Sequence, residues 1–363
     1  MSVYWFMFSI PVLMSILPIK FNNSLNYRLL LTYAFICVLF IGFRFEVGGD
    51  WGIYLEKSTD IHSKSFTEIF NPNNIGYTIV TWISTKSGLG LIGTNVFCAS
   101  VFMFGLHKLC KTQPYPWLAY VVAFPYLITV VAMGYVRQSF VIGIAFWCFS
   151  IWQKSEKYHE IKIIILALIG ITFHKSLLLI LFLTTIRNKG KIINYKYFFL
   201  VLPLALLIFI LSPTIIETII GYLKEETLFS KGAFIRLLMN IPPCLLLIYF
   251  YRNFKEFGDR RLWTLISFFS IIAFLASSYA STFIDRLGLY LISLQIVVYS
   301  RIPLFINNVN VRKLFIYAIC IFYFSVFFVW LNYSDSSWAW IPYNFSFNPP
   351  VANPSGEPYW LIK

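Results

Sequence analysis

Long apolar runs recur along the whole chain, and the polar segments between them are short. That pattern leaves few choices. A backbone surrounded by hydrocarbon must satisfy its own N–H and C=O groups, so repeated crossings are made by α-helices. The composition agrees. Of 363 residues, 59% are hydrophobic and 12% charged, with a mean hydropathy of +0.73; soluble domains carry about 25% charge. A chain this apolar cannot cover itself with polar surface in water. A soluble enzyme, a disordered protein and a secreted disulfide scaffold are excluded. An all-α polytopic membrane protein is expected.

Charge placement sets the topology. Six short segments (20–28, 107–114, 153–162, 187–196, 252–261 and 301–313) hold 18 Lys and Arg against four acids, Glu156, Glu160, Glu256 and Asp259. Their excess equals the net charge of the entire chain, +14, and the remainder is neutral. Basic loops collect on the cytoplasmic side of spanning helices, so these segments are assigned there. A nucleic-acid surface would need its basic residues on one soluble face with reachable aromatics, and no nucleic-acid partner is expected. Residues 1–18 are apolar with no basic residue before them. They read as a first span starting outside, unlike a secretory leader.

Further spans are expected near 29–43, 76–106, 115–135, 137–152, 163–173, 175–186, 197–212, 236–251, 262–282, 287–300 and 314–332. The run 76–106 is too long for one simple helix and is interrupted by Gly88, Gly90 and Gly93. The stretch 163–186 has basic segments on both sides, which a single crossing would separate. Two short helices meeting at Phe173-His174-Lys175 keep both inside, and broken helices are tolerated where they line a cavity; the alternative is one ordinary span that breaks the charge rule. Parity then gives about 12 transmembrane or half-membrane helices with both termini outside. An integral membrane domain covers 1–332, with outer loops at about 44–75 and 213–235, and 333–363 forms an outer tail. The 213–235 segment has a helix-like apolar pattern that suits a membrane surface. Trp338, Trp340, Tyr343 and Trp360 suit a membrane–water boundary. No internal repeat of fixed period is visible. The six cysteines form no CxxC pair. Five fall in spans and Cys110 in a cytoplasmic loop, and all read as small apolar residues.

Ionisable groups at the ends of apolar segments are functional candidates. Five places stand out, all on the outer side. In Arg44-Phe-Glu-Val-Gly48-Gly49-Asp50-Trp-Gly-Ile-Tyr54, Arg44 offers a planar fork for phosphate or carboxylate. There the glycines allow close approach, and Asp50 suits a general base or a sugar ligand. Alternatively, Arg44 ends a helix and Asp50 sits in a turn. Arg137-Gln138 lies between two apolar runs with no other charge nearby, so Arg137 faces a cavity or a partner, or else snorkels. His174-Lys175-Ser176 sits at the expected break, and His174 can serve as base or hydrogen-bond donor. Asp285-Arg286 is an isolated pair in polar surroundings; Arg286 points at a substrate phosphate or is neutralised by its neighbour. Arg236 heads a span, as anchor or ligand.

P-loop, HExxH, GxSxG and GxGxxG motifs are absent. The histidines at 62, 107, 159 and 174 are too scattered for zinc. An Arg/His/Asp set at the outer face needs a substrate that is already activated and reachable from the membrane. A lipid diphosphate sugar fits, because cationic side chains stabilise its leaving group.

In order along the chain, Arg44…Gly48-Gly49-Asp50…Tyr54, Arg137-Gln138, Phe173-His174-Lys175-Ser176, Asp285-Arg286…Tyr290 and Trp340-Ile-Pro-Tyr343 resemble the landmarks of the EpsG/Wzy group of polysaccharide polymerases. His174…Ser176 looks like the family's H-x-S element, with Leu177 where a small residue is usual. The resemblance runs from about 44 to 343. It implies a glycosyltransferase C-type (GT-C) membrane fold, with no cofactor and no metal, in an inner-membrane O-antigen or capsule polymerase. Such an enzyme moves a growing glycan from undecaprenyl diphosphate onto a lipid-linked repeat unit on the periplasmic side. Donor, acceptor and lipid bilayer are the implied partners, with a chain-length regulator of the Wzz type and a flippase as further ones. On this reading Arg137, Arg286 and Arg44 hold the diphosphate, and His174, in preference to Asp50, takes the acceptor proton. Gly48, Gly49, Tyr54, Gln138, Lys175, Ser176, Arg236, Asp285 and Tyr290 line the substrate site. An O-antigen ligase, another GT-C enzyme or a flippase remain alternatives, since fold alone does not decide function.

Overall fold

The computed structural model describes residues 1–17, 21–69, 74–154, 159–177, 232–277 and 281–348. Its helices follow the apolar runs and end where glycine, proline or polar residues interrupt them. They are α1 (Ser2–Ile16), α2 (Asn23–Gly42), α3 (Trp51–Ser63), α4 (Ile75–Lys86), α5 (Gly90–Lys111) and α6 (Pro116–Gly134). After these come α7 (Val136–Lys154), α8 (His159–Ile171), α9 (Ala233–Leu238) and α10 (Ile241–Tyr249). The last four are α11 (Arg260–Ala276), α12 (Ser281–Leu291), α13 (Ser293–Phe305) and α14 (Val309–Tyr333). A two-stranded ribbon, β1 (Arg44–Phe45) and β2 (Asn344–Phe345), joins the first loop to the tail in antiparallel register.

Among the described residues, five helices are long and apolar enough to cross a membrane: Asn23–Gly42, Gly90–Lys111, Pro116–Gly134, Ile284–Phe305 and Val309–Tyr333. Ser2–Ile16 and Ala233–Tyr249 are apolar but shorter. This is an all-α membrane protein. The second half of the 163–186 pair from Leu178 onward, the 197–212 span and most of the 213–235 segment lie outside the described residues. The run 76–106 does break, at Ser87–Leu89 between α4 and α5. The stretch 163–186 turns after Ile171, where the Phe173 and His174 N–H groups both bond to Gly170 O.

The centre is built on α5 and α7. A Cβ on Gly105 would stand 1.8 Å from the Gly143 carbonyl oxygen, and one on Gly143 2.4 Å from Phe102 Cα. The two backbones touch, which only small residues permit. α6 is the most enclosed span, with 94% of its apolar window buried. Its middle, Phe124–Val131, is wound as a π-helix beginning beside Pro125, which lacks an N–H. The Thr129 hydroxyl donates to Phe124 O within that segment.

The charge-sorted segments separate into two ends. At one end Lys111 Nζ lies 3.9 Å above the Tyr27 ring and Trp117 Nε1 donates to Asn26 Oδ1 at 2.8 Å. There Arg301 donates to Gln113 and to both oxygens of Asp259. The segments 20–28, 107–114, 252–261 and 301–313 therefore meet. At the opposite end Tyr4, the 44–50 loop and the tail are joined, described below.

Two loop assignments are corrected. Cys110 is not in a loop: α5 continues to Lys111, and Cys110 is fully buried, as its small apolar side chain allows. Asp259 and Arg301 are not solvated loop charges but a buried bidentate pair, with side chains 1% and 0% exposed, at 2.7–2.8 Å. Trp263 Nε1 also donates to Asp259, and the Phe257 ring lies 4.1 Å from the guanidinium carbon. Removing one partner strands a buried charge, a loss of about 3–5 kcal/mol. Arg301→Met should sharply lower the yield of monodisperse detergent-solubilised protein. The double replacement Asp259→Leu/Arg301→Met should recover part of it in size-exclusion profiles; no recovery would mean the pair acts through more than its charges.

Candidate active site

Asp50 marks the site. The loop before it is shaped by Gly48, whose φ of +108° belongs to the region that favours glycine. A Cβ there would meet Met133 O at 2.5 Å. The Gly48 N–H donates to Ala339 O at 2.8 Å. α3 starts at the next residue after Asp50, so Asp50 stands at its head with Tyr54 one turn on, buried.

The tail forms the other wall. Trp340 Nε1 donates to Thr129 O (2.9 Å), Tyr4 OH donates to Trp340 O (2.7 Å), and the Trp340 ring closes on Gly134 and stands 5.2 Å from the Trp330 ring. Tyr343 OH donates to Phe40 O at 2.8 Å. Trp340 is therefore not a membrane–water boundary residue. It is 3% exposed, because its indole N–H meets a carbonyl of the π-helical segment. Trp338, by contrast, is 70% exposed.

Between these walls runs a cleft of about 920 Å³. Gly49, Asp50, Tyr135, Arg236 and Asp335 give it a polar rim, while Val122, Met239, Phe322, Val326 and Val329 make its walls apolar. Deep inside, Gln295 donates to Asn240 and accepts from Tyr323.

The sequence candidates fall into three groups. Asp50, Arg137, Arg286 and His174 come together. Burial raises the Asp50 carboxyl above its ordinary range, while Arg137, then Arg286, then Lys57 pull it down. Arg137 lies 5.9 Å from the Tyr54 ring centre and 6.0 Å from that of Tyr77, and its Nε has no partner among the described residues. With the Asn74 amide turned to suit its neighbours, Asn74 accepts from Arg137 Nη1 (3.0 Å) and donates to Phe173 O (2.8 Å). Asn74 thereby ties Arg137 to the His174 turn.

His174 sits in the turn after α8, beside the start of α4, where the Gly76 N–H donates to Thr172 O. It lies outside the spanning helices. Burial first, then Arg286, Arg137 and Lys175, push it down to about 4, so its ring is neutral at neutral pH. The Ser176 N–H, which can only donate, points at Nδ1 (3.3 Å), and Ser176 Oγ is 2.7 Å from Nδ1. Tyr290 OH, on a buried side chain, is 2.7 Å from Ser176 Oγ. Nδ1 is therefore the bare nitrogen and Nε2 carries the proton. This runs against the expectation of a near-neutral histidine base, because burial among cations disfavours imidazolium and the serine occupies the lone pair.

The second group supports the frame. Arg44 is 1% exposed and donates to Val47 O and Ile41 O, closing its own loop over the end of α2. Gln138 donates to Arg286 O at 2.9 Å, linking α7 to α12. Ser176 and Tyr290 stand behind His174. The third group is a re-paired charge. Asp285 binds Arg236 through one oxygen at 2.6–2.8 Å, with the Tyr126 ring 5.2 Å from the guanidinium. Helical spacing turns Asp285 and Arg286 to different directions, so adjacency in sequence did not make them partners. Sequence reasoning missed Asn74, Tyr77, Tyr126 and Tyr135. Tyr135 alone had a signal: it precedes Arg137 in the interruption between apolar runs and feels both Arg236 and Asp50.

The structure is that of a helical membrane protein with a large, mostly apolar cleft lined by Asp50 and Arg236. The EpsG family pattern matches residues 27–345, and the chain belongs to that family, the family of Wzy-type O-antigen and exopolysaccharide polymerases. The chain is thus a polysaccharide polymerase of glycosyltransferase-like type in general terms. No curated protein and no solved structure matches it.

Two glycines separate geometry from chemistry. Gly48→Ala combines a positive φ with a backbone clash and should abolish activity and lower folded yield. Gly88→Ala, at φ +79° with nothing within 4 Å of the new methyl, should cost only about 1 kcal/mol and keep activity. Polysaccharide formation and thermal unfolding of both variants check this; an active Gly48→Ala would mean the loop does not shape the site.

Proposed function

We propose that the chain lengthens a polysaccharide by transferring the growing glycan from undecaprenyl diphosphate onto a lipid-linked repeat unit. The reaction takes place at the periplasmic side of the bacterial inner membrane. The observation that carries this reading is the cleft, with a polar rim at Asp50 and apolar walls extending to Val326 and Phe322. A lipid-linked diphosphate has that same division. The positive-inside rule favours the periplasm for this end, since the basic segments gather at the other.

In this mechanism the acceptor hydroxyl attacks the anomeric carbon, the bond from that carbon to the diphosphate oxygen breaks, and the electron pair leaves on the diphosphate. Arg137 and Arg286 stabilise that charge, as preorganised cations do in a water-poor site. Asp50 takes the hydroxyl proton, aided by burial that makes its carboxylate more basic. His174 donates through Nε2–H, a role that suits a neutral ring with Nδ1 occupied. Arg236, held by Asp285, lines the cleft wall.

The banding pattern of surface polysaccharide in a deletion strain, complemented by variants, tests the reading. Wild type should restore long chains, while Arg137→Ala and Arg286→Ala should leave single-repeat material with protein still in the membrane. Normal chain lengths from both would end the diphosphate clamp. Loss of all repeat-bearing material on deletion would point to a ligase or flippase.

The histidine assignment has its own test. Gln places an N–H near Nε2 and Asn near Nδ1. His174→Gln should keep measurable polymerisation, while His174→Asn and His174→Ala should lose about 10²-fold or more, the usual effect of removing a transition-state donor. Equal loss in all three would overturn the donor role. For Asp50, the acid limb of the rate profile should lie above the ordinary carboxylate range. Lys57→Gln removes a cation that lowers Asp50, so that limb should move to higher pH with activity retained. A shift to lower pH would remove Asp50 as the base.

A further inference from the structure

A second cavity, of about 730 Å³, opens at the basic end between the C-terminal turns of α5 and α7 and the first turn of α8. It is separated from Arg137 by roughly 20 Å along α7. Lys108, Lys111 and Lys162 line it, and among the described residues no carboxylate does. Two of the lysines are steadied by aromatic faces: Lys108 stands 5.0 Å from the Phe104 ring centre and Lys111 3.9 Å from that of Tyr27. In the neighbouring loop Asp259 is bound to Arg301.

Two other features narrow the occupant. Thr112, Ser150 and Gln153 add neutral polar groups to its lining. Trp147, Ile151, Ile165 and Leu166 complete the wall, and Ile165 is 52% exposed on the outer side of α8. The cavity is therefore cationic at its polar wall and apolar where it meets the hydrocarbon. We infer that it binds the headgroup of an anionic glycerophospholipid such as phosphatidylglycerol. The phosphate lies among Lys108, Lys111 and Lys162, and the acyl chains run along Ile165. Basic pockets between spanning helices at this end suit such lipids. The site is independent of the polymerase reading.

Delipidated full-length protein in detergent is offered equal amounts of phosphatidylglycerol and phosphatidylcholine, and bound lipid is counted by native mass spectrometry. Wild type should favour phosphatidylglycerol by about tenfold or more, since each lysine near a lipid phosphate contributes about fivefold. Lys108→Gln/Lys111→Gln/Lys162→Gln should bring that preference to within about twofold. Arg252→Gln/Lys255→Gln/Lys313→Gln removes the same charge from exposed positions at the same end and should keep the preference. An unchanged preference in the cavity variant, or an equal loss in the control, overturns the site. Complete displacement of the lipid by millimolar inorganic phosphate would assign the cavity to a soluble phosphate and overturn the lipid. If the triple variant does not fold, Lys162→Gln alone decides: a reduced preference supports the site and an unchanged one overturns it.

Discussion

The site depends on one buried side chain, Trp340. Its indole N–H takes a carbonyl from the π-wound stretch of α6, its own carbonyl accepts Tyr4 OH, and its ring covers Gly134. Ala339 beside it accepts the Gly48 N–H. First helix, first loop, central helix and C-terminal tail thus meet around one residue. A buried indole without an acceptor loses a full hydrogen bond, and the π-helical segment supplies that acceptor. The position of Asp50, two residues after Gly48, follows from this knot.

Beyond the knot, the molecule handles its charges in two ways. Where a charge is enclosed by helices it has a partner with fitted geometry: Asp259 with Arg301, and Asp285 with Arg236. Where chemistry is proposed, several charges stay close to one another. Asp50 and His174 each feel both Arg137 and Arg286. Arg137 and Arg286 outnumber the one carboxylate they face, which suits the proposed diphosphate. The serine and tyrosine behind His174 settle which ring nitrogen faces that anion.

Much of the frame was legible in the residues. The glycines at 88 and 90 broke the long run as their backbone freedom suggests, the 163–186 stretch turned at Phe173, and Arg137 came to a polar cluster. Basic segments far apart in the chain met at one end. The candidate site was legible in its members more than in their roles. Arg44 looked like an anion fork and instead holds two backbone carbonyls. Asp285 and Arg286 looked like a pair, yet Arg236 is the partner of Asp285. Asp259 and Arg301 looked like loop charges and are buried together.

The division has a physical reason. Apolar length, breaks and the placement of charge are local properties, set by transfer free energies and by each residue's own backbone preferences. Those determined a helical membrane protein with two chemically different ends, and they named Asp50, Arg137, His174 and Arg286. Partnership is not local. Which guanidinium meets which carboxylate depends on how helices rotate and how closely they approach, as the contact of Gly105 with Gly143 permits. The closure of the tail by Trp340 on Thr129 and Tyr4, the pairing of Asp285 with Arg236 and that of Asp259 with Arg301 join residues from tens to hundreds of positions apart, and only tertiary packing decided them.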